Sequence, residues 1–407
     1  MRNKNFIVSF ILFLSMVVIL ASCGLQQDKV EKIIEDGVEV VLNGIEPYKI
    51  KGMPSNLHLE KEYIIDFESD DLSGLGISDI TGFDVDSDGN VYLGSYKSTE
   101  NFIFKFDEKG RYVSSFCHLG QGPGEVQRLG NLRINECNEI LITNTERNKL
   151  IVLDTSGDLI KEVPIASNHI IAAILESGKI LAMRADRIPG EGIFYPIVIC
   201  NNDLENSKIL RQGQRLQNYV IAKELNGLAL ALDYAQWSIS KKLVYIGNKF
   251  NGYEFLIYNS DGTLLKKIRK RYDPVKVPQQ VKEKVIKKFD TPSYNKDNIK
   301  DKIYFPDYMP PFQYFFTDDI GRLYVMTHEK GKEEKDFVYD IFSPDGLFIS
   351  RTALDNSGNI LGAPPFQELP VPWGGPYDVR AKNNRLYCLR GKESGYQELV
   401  IYRMNWE

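Results

Sequence analysis

The stretch "ITGFDVDSDGNVYLGSY" (residues 80–96) decides the fold. An apolar strand, a polar turn containing Gly89 and Asn90, and a strand of aliphatic and aromatic residues follow one another, which is the period-two pattern of a β-hairpin. The same pattern recurs as "LGNLRINECNEILITNT" (129–145), "IIAAILESGKILAMRA" (170–185), "DYAQWSISKKLVYIGN" (233–248), "FQYFFTDDIGRLYVMTH" (312–328) and "PYDVRAKNNRLYCLRG" (376–391). Four of these six hairpins are followed by a second one, "FIFKFDEKGRYVSSF" (102–116), "LIVLDTSGDLIKEVPI" (150–165), "EFLIYNSDGTLLKKI" (254–268) and "FVYDIFSPDGLFISRT" (337–352).

Two hairpins make a four-stranded antiparallel sheet, and radial repetition of such sheets solves the exposed-edge problem as a β-propeller. The expected fold is therefore all-β, a six-bladed propeller. Its last repeat stops at "ELVIYRMNWE", one strand short, while "KEYIIDFES" (61–69) stands unpaired ahead of the first repeat. That N-terminal strand is expected to close the ring as the outer strand of the sixth blade. Between blades 4 and 5, "VPQQVKEKVIKKFD" (277–290) sets Val281, Val285, Ile286 and Phe289 on one side of a helix, an expected helical insertion.

The N-terminus carries an address. Arg2 and Lys4 precede an apolar run from Phe6 to Leu20, which ends in Leu20-Ala21-Ser22-Cys23. At about 15 residues the run is short of the roughly 20 that a membrane-spanning helix needs, and the pattern is that of a bacterial lipoprotein signal. The expected organisation is a signal peptide over 1–22, lipidation at Cys23, a tether and lead-in over 23–59, and the propeller over 60–407. Within the lead-in, residues 24 to about 37 read as tether. The expected place is the outer membrane, the cell surface before the periplasmic face, with the membrane reached through the lipid. Cleavage removes Arg2 and Lys4 from 50 basic residues and none of the 55 acidic ones, leaving a net charge of −7. A mildly acidic monomer of this kind is expected not to bind nucleic acid.

The blade hairpins, the "LGQGPGE" connection (119–125) and the "FPDYMPPF" entry (305–312) resemble the six-bladed β-propeller lipoproteins of Bacteroidetes, relatives of the NHL-repeat propellers. The resemblance covers about residues 60–407. It implies the fold and no catalytic motif, because the superfold hosts both binders and enzymes.

Candidate sites come from aromatic residues at blade entries and from the interblade loop. Tyr234 and Trp237 precede blade 4, Tyr308 precedes blade 5, and Trp373 and Tyr377 precede blade 6. Among them Trp373 in "VPWGGPYD" has the least neighbouring side-chain cover, and Trp373→Ala is expected to weaken binding. Glu125 and Arg128 are expected to face the opening of the ring. Such residues suit a glycan, a peptide or an outer-membrane protein partner. Lys266, Lys267, Arg269, Lys270 and Arg271 form a basic tract that reads first as a solvated surface and second as a meeting place for an anionic glycan, an outer-leaflet phosphate or an acidic partner protein.

Chemistry-bearing patterns are sparse. Asp84, Asp86 and Asp88 have the spacing of a calcium loop, but the twelfth position is Ser95, so a blade turn explains them as well. His118 and His169, with Asp233 or Asp378, leave open a cation site in the central tunnel. No cofactor is expected, calcium in the tunnel or that loop apart. The leading expectation is a ligand-binding or protein-interaction scaffold at the cell envelope, more in keeping with a non-enzyme. The alternative is a cation-dependent hydrolase or lyase centred on the tunnel. Cys117, Cys200 and Cys388 alternate with apolar neighbours as buried strand residues do, and a bridge between Cys117 and Cys137 stays open.

Overall fold

The computed structural model describes residues 30–49, 52, 54–77, 80–95, 100–144, 146–165, 169–175, 177–189, 192–201, 207–212, 220–222, 227–229, 236–248, 251–289, 303–305, 307–332, 337–354, 359–360, 379–392 and 394–407. The chain forms six blades. Blade 1 runs from its inner to its outer strand as Ile80–Val85, Val91–Ser95, Asn101–Phe106 and Tyr112–His118. Blades 2 (129–164), 3 (169–211), 4 (237–270) and 5 (314–354) repeat that order.

Blade 6 takes Val379–Lys382, Arg385–Gly391 and Gln397–Trp406 from the C-terminus and its outer strand, Leu57–Asp66, from the N-terminus. The pairing of Leu57 with Trp406 through Asp66 with Glu398 is the expected closure.

The apolar core confirms a closed ring, since it divides into one cluster between each pair of neighbouring blades. Phe83, Phe104 and Phe106 of blade 1 meet Tyr387, Leu389 and Ile65 of blade 6, and Phe255 and Ile268 of blade 4 meet Phe312, Phe315 and Phe348 of blade 5. The alternation of each strand explains this, because both faces of a blade look at another sheet and both must be apolar.

Among the described residues one kind of turn is built six times. Asp86, Asp107, Asn135, Asp154, Asn259 and Asp318 each accept, through one side-chain oxygen, the backbone N–H groups two and four residues later. The fourth residue of the turn then needs positive φ, which Gly89 supplies at +88° and Asn138 at +60°. In two of the hairpins a tyrosine six residues on completes the lock, Tyr92 donating to Asp86 at 3.1 Å and Tyr324 to Asp318 at 3.0 Å. The second carboxylate of the calcium-like spacing is thus occupied by its own hairpin. It accepts from Asp88 N, Asn90 N, Asn90 Nδ2 and Tyr92 Oη.

Residues 31–43 depart from the tether reading. Strands β1 (Glu31–Glu35) and β2 (Val38–Asn43) form a hairpin, and β2 lies parallel to Leu264–Lys270, the outer strand of blade 4, making that sheet six-stranded. Val40 and Val41 are fully buried there. Asn43 ties the hairpin to both neighbouring blades, donating to Arg269 O (3.1 Å) and Gly346 O (3.0 Å) and accepting from Phe348 N (2.8 Å). Ion pairs add to this. Glu35 meets Arg269 and Lys267, and Glu39 meets Lys266.

The helical insertion is present as Gln279–Phe289. The loop inserted in blade 3 is a small hairpin of Asp186–Ile188 with Gly192–Phe194. All four cysteines of the described residues are free thiols, which closes the question of a bridge between Cys117 and Cys137. Cys117 is buried in the blade 1–2 core, where burial pushes its thiol up to about 12, while Cys137 sits exposed in a turn.

Candidate functional site

Because each blade alternates direction, the ring has two unlike ends. One carries the turns within hairpins, and these knit together. Ser87 and Asn138 exchange hydrogen bonds, Asn383 donates to Ser87 O and Asp319 Oδ2, and Lys242 N donates to Glu136 Oε1, so turns of blades 5, 6, 1, 2 and 4 are joined. The other end carries the loops between the second and third strands and the connections between blades. Of the candidates that fall among the described residues, Glu125, Arg128, Trp237 and Tyr308 belong to that second end, and the structure does not gather them, while Asp86 and Asp88 lie in a hairpin turn at the first.

Glu125 folds back within its own loop, accepting from Gly122 N at 2.7 Å, and Arg128 pairs with Glu146 at 3.2 Å on an exposed rim. Trp237 is buried in the blade 3–4 core with Leu181 and Ile246, so packing, and not ligand contact, explains it. Tyr308 is about half exposed beside Lys276, with no candidate partner near it. Tyr234, Trp373 and Tyr377, like Cys23, Asp233 and Asp378, lie outside the described residues.

The histidine reading is corrected in part. His118 ends the outer strand of blade 1 and His169 begins the inner strand of blade 3, so the two cannot converge on the axis. Among the described residues no cluster of three or more His, Cys, Asp or Glu side chains has the geometry to hold a metal ion.

The inner strands of blades 6, 1 and 2 instead bring one acid among bases. Asp84 accepts from Ile134 N at 3.0 Å and pairs with Arg380 at 3.2 Å, with Arg133 and Lys382 close enough to act on its charge. Burial pushes the Asp84 carboxyl up, and Arg133 and Lys382 pull the other way. A carboxylate so outnumbered is a structural counter-ion, and its surroundings repel a divalent cation.

A cleft opens on blade 4, at its border with blade 5 and beside the loop that follows the N-terminal hairpin. It encloses about 400 Å³ and is lined by Ile45, Asn251, Gly252, Tyr253, Arg269, Lys270, Arg271 and Tyr272. Strand alternation distributes its three cations. Arg269 points to one side of the sheet, held by Glu254 at 2.5 Å and Glu35 at 2.5 Å. Lys270 points to the other and is buried against Asp340 at 3.4 Å, its ammonium 4.7 Å from the Phe348 ring centre. Arg271, just past the strand, is exposed and makes no ion pair among the described residues.

Asp340 is the hub of the buried group. Tyr253 Oη donates to it at 2.9 Å, and Arg351 approaches at 3.6 Å. Burial drives the Lys270 ammonium down from its ordinary range and the Asp340 carboxyl up, while each partner's charge resists the change. The cleft therefore presents a cationic mouth and an aromatic wall, with Tyr253 and Tyr272 ring centres 6.0 Å apart. The basic tract was legible in the sequence. Tyr253 and Asp340 were not, because they reach the tract from other strands, and Tyr272, though it follows the tract directly, has no local signal that sets it apart.

No curated protein matches the chain by sequence. Among solved structures, the "Putative exported protein" of Bacteroides fragilis is similar over 90% of this chain and 99% of its own, at 10% identity and a TM-score of 0.48. A duf4221 family member from Bacteroides vulgatus is similar over 87% of this chain and 100% of its own, at 10% identity and a TM-score of 0.47. A gluconolactonase from Xanthomonas campestris covers 86% of this chain and 99% of its own, at 10% identity and a TM-score of 0.36. Likenesses this distant carry nothing about activity. Residues 77–188 match a family described as "6-bladed beta-propeller", and with six blades and six interblade cores in place the chain is a six-bladed β-propeller.

Proposed function

We propose that the protein is a lipid-anchored scaffold of the cell envelope, of the NHL-like propeller kind, whose blade 4–5 cleft captures an acidic glycan. The observation that carries this reading is Arg271, an exposed guanidinium without an ion-pair partner among the described residues, set beside Tyr272 in a cleft of about 400 Å³. A guanidinium binds a carboxylate or sulfate through two parallel N–H donors, and an aromatic face supports a sugar ring. The other cations of the tract are already paired, so Arg269 and Lys270 shape the cleft and Arg271 is left to meet the ligand. The lipid reading rests on Leu20-Ala21-Ser22-Cys23, and display at the outer surface of the outer membrane is part of the proposal.

Residues 24–407 would be heated with oligouronates, acidic peptides and neutral oligosaccharides, since a ligand that prefers the folded state raises the apparent melting temperature. A shift with oligouronates that is lost in Arg271→Ala supports the assignment. A shift with acidic peptides alone transfers the cleft to a protein partner, and an undiminished shift in Arg271→Ala rejects it. Trp373→Ala, measured in parallel, tests the site favoured by sequence alone. The alternative of a cation-dependent hydrolase or lyase draws no support from the surroundings of Asp84, where Arg133, Arg380 and Lys382 oppose a divalent ion.

A further inference from the structure

The N-terminal hairpin gives the lipid anchor a definite point of exit. β1 is the sixth and outermost strand of the blade 4 sheet, so the chain leaves the ring at its perimeter and not from either end of the channel. Cys23 precedes Glu31 by eight residues, which span at most about 29 Å when fully extended. The hairpin itself is fastened down by Asn43, by buried Val40 and Val41, and by the pairs of Glu35 and Glu39 with the basic strand. The point from which the anchor leaves is therefore fixed on the domain.

We propose, on the reading that Cys23 is lipidated, that the propeller stands edge-on at the bilayer with the blade 4 rim against the phospholipid surface. The rim has the side chains for it. Ile34 on β1 is 70% exposed and Leu265, on the blade 4 strand next to β2, is 45% exposed, while Lys32, two residues from Ile34 on the same strand, is half-exposed and paired with Glu39 at 3.3 Å. Apolar side chains flanked by a long cationic one are what the headgroup boundary accommodates. Blade 1 lies directly across the six-membered ring, so its outer strand Tyr112–His118 faces away from the membrane. At about 4.8 Å per strand, the eight gaps between strands in blades 4 and 1 separate the two rims by more than about 38 Å. In this stance both ends of the channel open sideways, and the cleft at the blade 4–5 rim sits close to the membrane.

The test uses the full acylated chain in phosphatidylethanolamine–phosphatidylglycerol vesicles carrying a headgroup nitroxide quencher. A fluorophore is placed at Ile34→Cys or at Val113→Cys, each in a Cys137→Ser background that removes the exposed native thiol. Val113 is 52% exposed on the blade 1 rim, so neither label disturbs a core. The expected result is loss of fluorescence at position 34 and none at position 113. Equal quenching, quenching only at 113, or none at either position overturns the edge-on stance. Acyl incorporation is read separately by mass spectrometry of the N-terminal peptide. Its absence removes the lipoprotein reading and the stance together, whereas an acylated protein with undifferentiated labels overturns the stance alone.

Discussion

Two segments ahead of the first blade each add strands to a distant sheet, and they do so on different terms. Leu57–Asp66 supplies a strand that blade 6 lacks, pairing antiparallel with the C-terminal strand along its whole length and burying Leu57 and Ile65 in two interblade cores. The β1–β2 hairpin joins a blade that is already complete, pairs parallel, and depends on Asn43 and on ion pairs as much as on apolar burial. The first is part of the ring's closure, and the second is a brace laid across two blades that are closed without it. A strand whose absence leaves a core face exposed must be essential to cooperative folding, whereas an added strand contributes only its own contacts.

Truncation separates the two most sharply. A chain beginning at residue 68 lacks the closing strand and is expected to lose its single cooperative thermal transition in circular dichroism. A chain beginning at residue 45 is expected to keep one transition at a lower temperature. If both truncations behave alike, the distinction between closure and brace fails.

The next effect concerns the interface that the brace covers. Asp340→Ala leaves Lys270 buried without its counter-charge and is expected to cost about 3–5 kcal/mol in urea unfolding, as the loss of one partner of a buried ion pair does. Removing both charges in Asp340→Asn with Lys270→Met should recover part of that loss. A double variant no better than the single one would show that Tyr253 and Arg351, not the ion pair, make Asp340 important.

The smallest effect is on pH. The hydrogen bond and charge of Arg269, with those of Lys267, hold the Glu35 carboxyl below its ordinary range in the folded protein. The unfolded chain then takes up this proton more readily than the folded one. The stabilisation is full above the unfolded pKa and is lost as pH falls through the lower, folded value. Acidification should therefore speed amide exchange at Val40 and Val41 before it affects Ile401 in the closing pair of strands. Simultaneous loss of protection would mean that hairpin and ring open as one unit.

Much of this was written in the order of residues. Six hairpins, the Gly or Asn signals of their turns and the unpaired "KEYIIDFES" read as a closed propeller because each signal is local and repeats. The β1–β2 hairpin had a local signal too. Asp36-Gly37, with φ of 52° and 80°, sits between Ile33-Ile34 and Val38-Val40-Val41, which is a two-residue hairpin turn between apolar strands. It read as tether because nothing local says which sheet edge would receive it. Trp237 erred in the other direction. An aromatic residue at a blade entry looks available until the neighbouring blade covers it.

By itself the sequence determined the repeat, the number of blades and the strand that closes them. These follow from short-range periodicity and turn chemistry, which act between residues a few positions apart. Only the tertiary structure decided that β2 lies on blade 4, that Asp340 reaches Lys270 from the next blade, and that Arg271 is the cation of its tract left at the cleft mouth. Those outcomes depend on which side chains meet across sheets, where burial and charge pairing act between residues far apart in the chain.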